Sequence, residues 1–341
     1  MTLTFKPKQV VRELLSVLQP RVRDILVARY GLGEKPERQT LEAIGGRYNI
    51  TRERVRQIEN YALGAIRKSP AYAKARSSFE ELERIIDEHG GIVHEADFLA
   101  YAGKDASTRN QIVFLLVVGD AFVKHREDEQ FHHRWHVNQE LADRVHKALK
   151  NLCGCLEGQD VMAEGEIIEN FLKELKEVSQ KYKNNEIMRG WLSLSKEIGK
   201  NPLGEWGLVS SPNVRLKGIR DYAYLVIKRH GSPMHFTEVA RSIEKLFGKK
   251  AHTATTHNEL IKDPRFVLVG RGLYALKEWG YASGVVKDVI RHILKASGPL
   301  MRDDIVEKVR KERYVKDNTI LVNLQDSRVF KRIADGRYTL A

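Results

Sequence analysis

The chain has 341 residues, of which 42% are hydrophobic and 30% charged, with 58 Lys/Arg against 45 Asp/Glu. No window approaches 18 uninterrupted apolar residues, and the start MTLTFKPKQVV lacks the apolar core of a secretory leader. A membrane span and export are therefore not expected, a cytoplasmic location is, and the length has room for several domains. The positive charge is unevenly placed. Residues 1–76 hold 16 Lys/Arg and 7 Asp/Glu, a surplus of 9, which leaves a surplus of only 4 to the other 265 residues. A polyanion-seeking surface is expected in the N-terminal segment, whereas the remainder need not bind nucleic acid.

The stretch TLEAIGGRYNITRERVRQIENYALGAIRK, Thr40 to Lys68, reads as helix, tight turn, helix. Gly45, Gly46 and Asn49 are expected to supply the break, with Thr51 as the N-cap of the second helix. Val55, Ile58, Ala62, Leu63 and Ile66 form an apolar stripe at helical spacing. Arg52, Glu53, Arg56 and Gln57 fall on another side as two i,i+4 pairs. Such a helix has a plain reading, an amphipathic helix with a solvated charged face. It also suits the major groove, where Arg forks bind guanine, Gln reads adenine and a carboxylate accepts from cytosine.

TRERVRQIE resembles region 4.2 of the sigma-70 family, the promoter −35 reader of bacterial RNA polymerase. Upstream, VVRELLSVLQPRVRDILVARYGLG resembles region 4.1, with the L-x-x-L-x-P-R lead-in at Leu15, Leu18, Pro20 and Arg21 and the R-Y-G-L stop at Arg29 to Leu32. The likeness covers roughly Phe5 to Lys68. It departs from the family at Val22, usually Glu, and in the Gly45–Asn49 turn. The resemblance implies a helix-turn-helix that binds double-stranded DNA. Arg52, Glu53, Arg56 and Gln57 would be its base contacts, and Thr51 and Arg54 its phosphate contacts at a helix N-terminus. It further implies a contact with the RNA polymerase core at the β-subunit flap. No stretch resembles sigma region 2, so promoter melting is not expected of this chain.

Beyond Ser69-Pro70, read as a helix stop, and a polar run to Ser78, a pattern recurs. Helices ending in glycine open four units: FEELERIIDEHGG, LADRVHKALKNLCGCLEG, RDYAYLVIKRHGS and VVKDVIRHILKASGP. A short apolar link follows each, then an acidic–apolar pair that starts a second helix. The pairs are Asp97-Phe98, Glu166-Ile167, Glu238-Val239 and Asp304-Ile305, roughly 70 residues apart. A third helix and two strands complete each unit. The strands are expected at Ala121–His125 and Phe131–Val137, then Arg265–Val269 and Leu273–Lys277 across Gly270-Arg271-Gly272, and Val329–Ile333 and Arg337–Leu340 across Asp335-Gly336. In the second unit the ribbon falls around Leu192–Val209, with a turn at Gly204-Glu205-Trp206-Gly207. Three helices and a hairpin make a winged helix. The expected fold is mainly α, an N-terminal helix-turn-helix followed by tandem winged helix-turn-helix (α+β) units. The expected boundaries are 1–76, 77–139, 140–217 (with an insertion), 218–280 and 281–341. In the third unit, AYLVIKRHGSPMHFTEVARSI and RFVLVGRGLYALKEW resemble the HARE-type winged helix, a family that includes the delta subunit of Gram-positive RNA polymerase.

The remaining candidates favour structural roles. His94 and His235 precede the second helices and are expected to cap or pack. Trp135, Trp206 and Trp279 recur on or after wing strands, as core residues do. Phe131–His136 alternates like a half-exposed strand. Arg271 at a hairpin tip suits a phosphate or solvent equally. Cys153 and Cys155 form a C-x-C without the further ligands a metal needs, so both are expected to be small, partly buried residues. His132, His133 and His136 are not brought to them by sequence. No metal, cofactor or catalytic constellation is expected, and no enzyme. The third helices His252–Asp263 and Val315–Arg328 lack Arg forks or a basic face, which suits protein docking. Three functions stay open: a promoter reader in bacterial transcription, a polymerase-associated structural adaptor, and an accessory of a DNA modification or restriction system.

Overall fold

The computed structural model describes residues 3–175, 179–281 and 284–341. They fall into two compact units, Met1–Lys200 with Gly204–Ser210, and Asn201–Leu203 with Ser211–Ala341. The fold is mainly helical, a helix-turn-helix followed by winged-helix repeats.

In the first unit, α1 (Pro7–Leu15) and α2 (Pro20–Tyr30) each begin on a proline, whose missing N–H costs nothing at a helix start. α3 (Leu41–Tyr48) and α4 (Arg52–Arg67) form the helix-turn-helix. Ser69-Pro70 ends α4 but also starts a further helix, α5 (Pro70–Lys74), because the Ser69 hydroxyl accepts from the Tyr72 N–H. α6 (Arg76–Glu88), β1 (Ile92–His94), α7 (Glu95–Ala102), α8 (Ala106–Val118), β2 (Val123–His125) and β3 (Arg134–His136) make the first winged helix. The link between its first two helices, read only as apolar, is a strand, and the sheet order is β1-β3-β2. β3 is thus central. Arg134, Trp135 and His136 are all buried, where the alternation suggested a half-exposed strand.

From Ile112 to Val118 α8 is apolar on every side, and Ile112 through Leu116 are buried. A helix of that kind needs cover all round. α7 supplies part of it, and α1, α2 and α4 supply the rest. Val11, Leu14, Leu26 and Ile66 on one side of residue 76 share a single core with Phe79, Leu82, Phe114 and Leu115 on the other. Tyr30 meets Phe114 edge to face with centroids 5.3 Å apart. Polar pairing completes the junction. Arg67 donates to the Val118 and Val117 carbonyls at 2.9 and 2.8 Å, satisfying the end of α8. Asn110, 6% exposed, donates to the Gly31 and Pro36 carbonyls at 3.0 and 2.8 Å and accepts from Arg38 Nε at 2.7 Å.

The second winged helix comprises α9 (Gln139–Leu156), α10 (Glu164–Leu175), α11 (Asn185–Leu192), β4 (Ile198–Lys200) and β5 (Trp206–Leu208). Trp206 and Gly207, read as part of a turn, lie in β5, and Gly204 takes the positive φ of 88°. Met162 bridges to Trp206 where the first unit has β1. α11 packs back on the first winged helix. Trp191 Nε1 donates to the Gly90 carbonyl at 3.1 Å and Tyr182 to Asp87 at 2.6 Å. Gly90 has φ 103°, and a Cβ there would meet Trp191 and Ile187 at 2.7 Å.

In the second compact unit, α12 (Ile219–His230), β6 (Met234–His235), α13 (Phe236–Phe247), α14 (Thr253–Lys262), β7 (Phe266–Leu268) and β8 (Leu273–Leu276) form a winged helix with sheet order β6-β8-β7. α15 (Val286–Ser297), α16 (Arg302–Glu312), α17 (Asp317–Leu324), β9 (Phe330–Arg332) and β10 (Tyr338–Leu340) form the next, with Leu300 bridging to Tyr338. The Tyr314 N–H donates to the Val269 carbonyl at 2.8 Å, so the third wing is met by the loop before α17. The paired apolar residues Phe98, Ile167, Val239 and Ile305 are all buried, which explains their regular recurrence. No described helix is long and apolar enough to cross a membrane.

The packing of the first unit can be tested in two ways. Asn110→Ala strands the buried Gly31 carbonyl and removes the part-buried bonds to Pro36 and Arg38, and should cost about 1–3 kcal/mol in urea unfolding; an unchanged midpoint would show the junction to be wet. Second, His125, His136 and His146 cluster with centroids 4.9 and 5.4 Å apart, beside Arg134, which donates to His146 at 2.7 Å. Burial first, then the Arg134 charge, brings His146 down to about 4, while Asp143 opposes. Burial also lowers His125 and His136. The unfolded chain, titrating near 6.5, binds more protons between that value and 4, so stability falls as pH drops through this window. Melting scans at about pH 7 and 5 should show the fall, and His146→Gln, which keeps the acceptor, should reduce it.

Candidate nucleic-acid interface

The turn between α3 and α4 depends on one residue in the left-handed region. Asn49 has φ 52° and ψ 48°. Its N–H reaches the Gly46 carbonyl at 3.4 Å, and the Ile50 N–H reaches the Gly45 carbonyl at 2.9 Å, a Schellman closure. Gly45 and Gly46 are therefore helical, not the break that their composition suggested. Gly45 serves a different purpose. A Cβ there would lie 2.6 Å from the Ile50 carbonyl oxygen, so its absence lets the turn fold down tightly. Thr51 caps α4 as expected, its hydroxyl accepting from the Arg54 N–H at 3.2 Å.

Capping and packing then set which side of α4 is free. Val55, Ala62, Leu63 and Ile66 are buried and Ile58 is half-buried. Val55 packs with Ile25, Ala28 and Ile44 in a small core of the helix-turn-helix itself. Thr51, Arg52, Glu53, Arg54, Arg56 and Gln57 are all exposed. Their side chains pair at i,i+3, not at the i,i+4 spacing read from the sequence. Arg56 forks onto Glu53 at 2.9 and 2.7 Å, and Arg54 donates to Gln57 at 3.0 Å. The Arg56 hydrogen bond holds the Glu53 carboxyl below its ordinary range and raises Arg56 in turn. Arg52 lies 3.7 Å from Glu42 of α3. These solvent-exposed pairs are weak and exchange readily for a ligand's groups.

Two residues that sequence reasoning left unassigned join this surface. Arg21, Ile50, Arg54, Gln57 and Tyr61 line a shallow crevice of about 530 Å³ beside α4. Tyr61 is 71% exposed, an unusual state for so large a ring. Arg21, at the start of α2, sits 5.7 Å from the Tyr48 ring centroid. The signal for Tyr61 was present in its spacing, three and four residues beyond Ile58 and Gln57 on the exposed side of the helix. Arg21 was not findable this way, because the fold alone brings α2 to α4.

Elsewhere the candidates are structural. Trp135 and Trp206 are core residues, and Trp135 donates to Glu95 at 2.6 Å. His235 caps α13, and His94 pairs with Asp97 at 2.9 Å. Cys153 is half-buried, with burial pushing its thiol up to about 11, whereas Cys155 is exposed, contrary to expectation. Among the described residues no group of three or more His, Cys, Asp and Glu side chains is arranged to hold a metal.

Fold and surface together define a helix-turn-helix with a free second helix, in tandem with winged helices. Residues 14–68 match the family model described as "Sigma-70, region 4". Residues 219–279 match the HARE-HTH model, whose description includes "ASXL, restriction endonuclease HTH domain". The N-terminal segment is 50% identical over 64 residues to the RNA polymerase sigma factor SigA1 of Synechococcus elongatus, covering 18% of this chain and 16% of that protein. It is 43% identical over 60 residues to SigA of Clostridium acetobutylicum, 18% of this chain and 16% of that one. Against RpoD of Helicobacter pylori the identity is 40% over 67 residues, 20% of this chain and 10% of that protein. The chain thus spans about a sixth or less of the length of these relatives. Residues 14–68 thus match a sigma-70 region 4 domain and residues 219–279 a HARE-type helix-turn-helix domain.

Gly45→Ala should displace the turn against the Ile50 carbonyl and destabilise the helix-turn-helix by about 1–3 kcal/mol. Hydrogen exchange should rise in α3 and the start of α4; unchanged protection there would show that the turn relaxes freely.

Proposed function

We propose that this protein reads −35-type promoter DNA through α4 and contacts the RNA polymerase core, without itself melting DNA. The carrying observation is the contrast between third helices. α4 presents Arg52, Glu53, Arg56 and Gln57 to solvent as one polar, base-reading set, whereas α8 is buried from Asn110 to Leu116 and α11 buries Ile187, Met188, Trp191 and Leu192 and leaves only Asn185, Glu186 and Arg189 exposed. Of these three helices, α4 carries the Arg and Gln side chains on its exposed face that suit a major groove. In this reading Arg52, Glu53, Arg56 and Gln57 touch bases. Thr51 and Arg54 touch phosphates, with Arg21 and Tyr61 flanking. Binding exchanges the Arg56–Glu53 and Arg54–Gln57 pairs for base edges. The β-subunit flap is the polymerase contact that the region 4 likeness implies. It would have to use surface outside the face of α1, α2 and α4 that α8 occupies.

The burial of α8 and α11 also favours an adaptor role for the first two winged units, as spacers and docking modules of the same protein. The HARE match supports the other alternative, an accessory of DNA modification or restriction, because that family's description includes restriction endonucleases. Selection of bound duplexes from random DNA separates these readings. Enrichment of a −35-like motif supports the promoter reader, and no enrichment supports the adaptor. Arg56→Ala should then cost about 1–3 kcal/mol on the enriched duplex and relax one base position. Equal loss on enriched and random duplexes would reduce Arg56 to a phosphate contact.

A further inference from the structure

The charge left over after the helix-turn-helix is not spread along the winged-helix array. Residues 77–280 hold 29 Lys/Arg and 30 Asp/Glu, whereas residues 281–341 hold 13 and 8. The whole surplus of the array therefore lies in its last unit. Within that unit it concentrates on one hairpin. Arg328, Lys331, Arg332 and Arg337 sit in ten residues that contain one carboxylate, Asp335.

The hairpin holds these groups outward. Phe330 is buried against the unit's core and anchors β9, while Lys331 and Arg332 beside it are exposed. Lys331 stands opposite Thr339 and Arg332 opposite Tyr338 in the ladder. The Arg328 side chain is 87% exposed. Arg328 shares Asp326 with Lys287, and Arg337 pairs with Asp335. Lys331 and Arg332 have no carboxylate partner among the described residues.

The first and third hairpins lack these properties. The first carries Glu127, Asp128 and Glu129, and its Phe131 bridges to Ser195 of the following unit. In the third, Arg265 is locked by Asp221 and Asp263, and the tip at Gly270 is bridged by Tyr314. A rigid hairpin with outward cations and little counter-charge suits the repeating phosphates of a duplex, which need charge and not base-edge geometry.

We propose that the hairpin Arg328–Arg337 is a second, sequence-independent DNA contact that grips the phosphate backbone through Lys331 and Arg332. It would act in addition to α4 and so rests on the reading that this protein binds duplex DNA.

The test uses the full chain and two duplexes of equal length, one enriched by selection and one random, titrated from about 0.05 to 0.3 M salt. Lys331→Gln/Arg332→Gln should lower affinity about tenfold or more near 0.15 M on both duplexes alike, and flatten the log–log salt slope by about 2. Sequence preference should stay unchanged. The charge-conserving pair Lys331→Arg/Arg332→Lys should keep the wild-type slope, which separates charge from folding damage. A wild-type slope for the neutral pair on both duplexes would overturn the proposal. So would retained DNA binding with lost capture of RNA polymerase, since the hairpin would then be a protein contact. If Arg56→Ala is silent on the enriched duplex while the neutral pair still flattens the slope, the α4 reading fails and the hairpin contact stands.

Discussion

The packing of α8 against α1, α2 and α4 is the constraint on which the first compact unit depends. The C-terminal half of α8 is too apolar to leave any side in water, and its own winged helix covers only part of it. The helix-turn-helix supplies the rest, and in doing so buries its own apolar face. Each partner thus solves the other's exposure. Asn110 fixes the register of the contact, because its amide is matched to two carbonyls and a guanidinium at once. Buried polar groups of this kind tolerate little sliding, since each lost partner leaves an unsatisfied group in a dry site.

A region 4 domain held on such a mount presents α4 at a fixed angle to the winged helix behind it. The same logic recurs one unit on, where α11 lays Trp191 on Gly90. In both cases the helix that a winged helix commonly offers to DNA is used to join modules. The repeats of the first unit are therefore joined through their third helices.

Electrostatics divides the molecule in a second way. On α4 the charged groups pair with one another across i,i+3 in exposed positions, so they are organised yet easily released. Around Arg134 and Arg265 the charges are locked by several partners in part-buried sites, and there they hold structure. At Lys331 and Arg332 they are left without counter-charge. Local pairing, in place of net count, separates these three uses of charge.

Much was determined by the sequence alone. The cap at Thr51, the stripe from Val55 to Ile66 and the exposed Arg52, Glu53, Arg56 and Gln57 all follow from spacing within one helix, where geometry is local. The four acidic–apolar pairs and their buried second members were legible for the same reason. Tertiary structure decided what depends on contacts between distant segments. It narrowed the break from Gly45, Gly46 and Asn49 to Asn49 alone, because Gly45 serves a close approach across the turn that composition does not encode. It turned two of the apolar links into strands and the other two into single bridges, since a two- or three-residue strand exists only through its partner. It buried Arg134 to His136 by making β3 central, and it brought Arg21 to the side of α4. Above all it joined residues on either side of position 76 into one core. Hydrophobic pattern shows that a face must be covered, but only the folded chain shows what covers it.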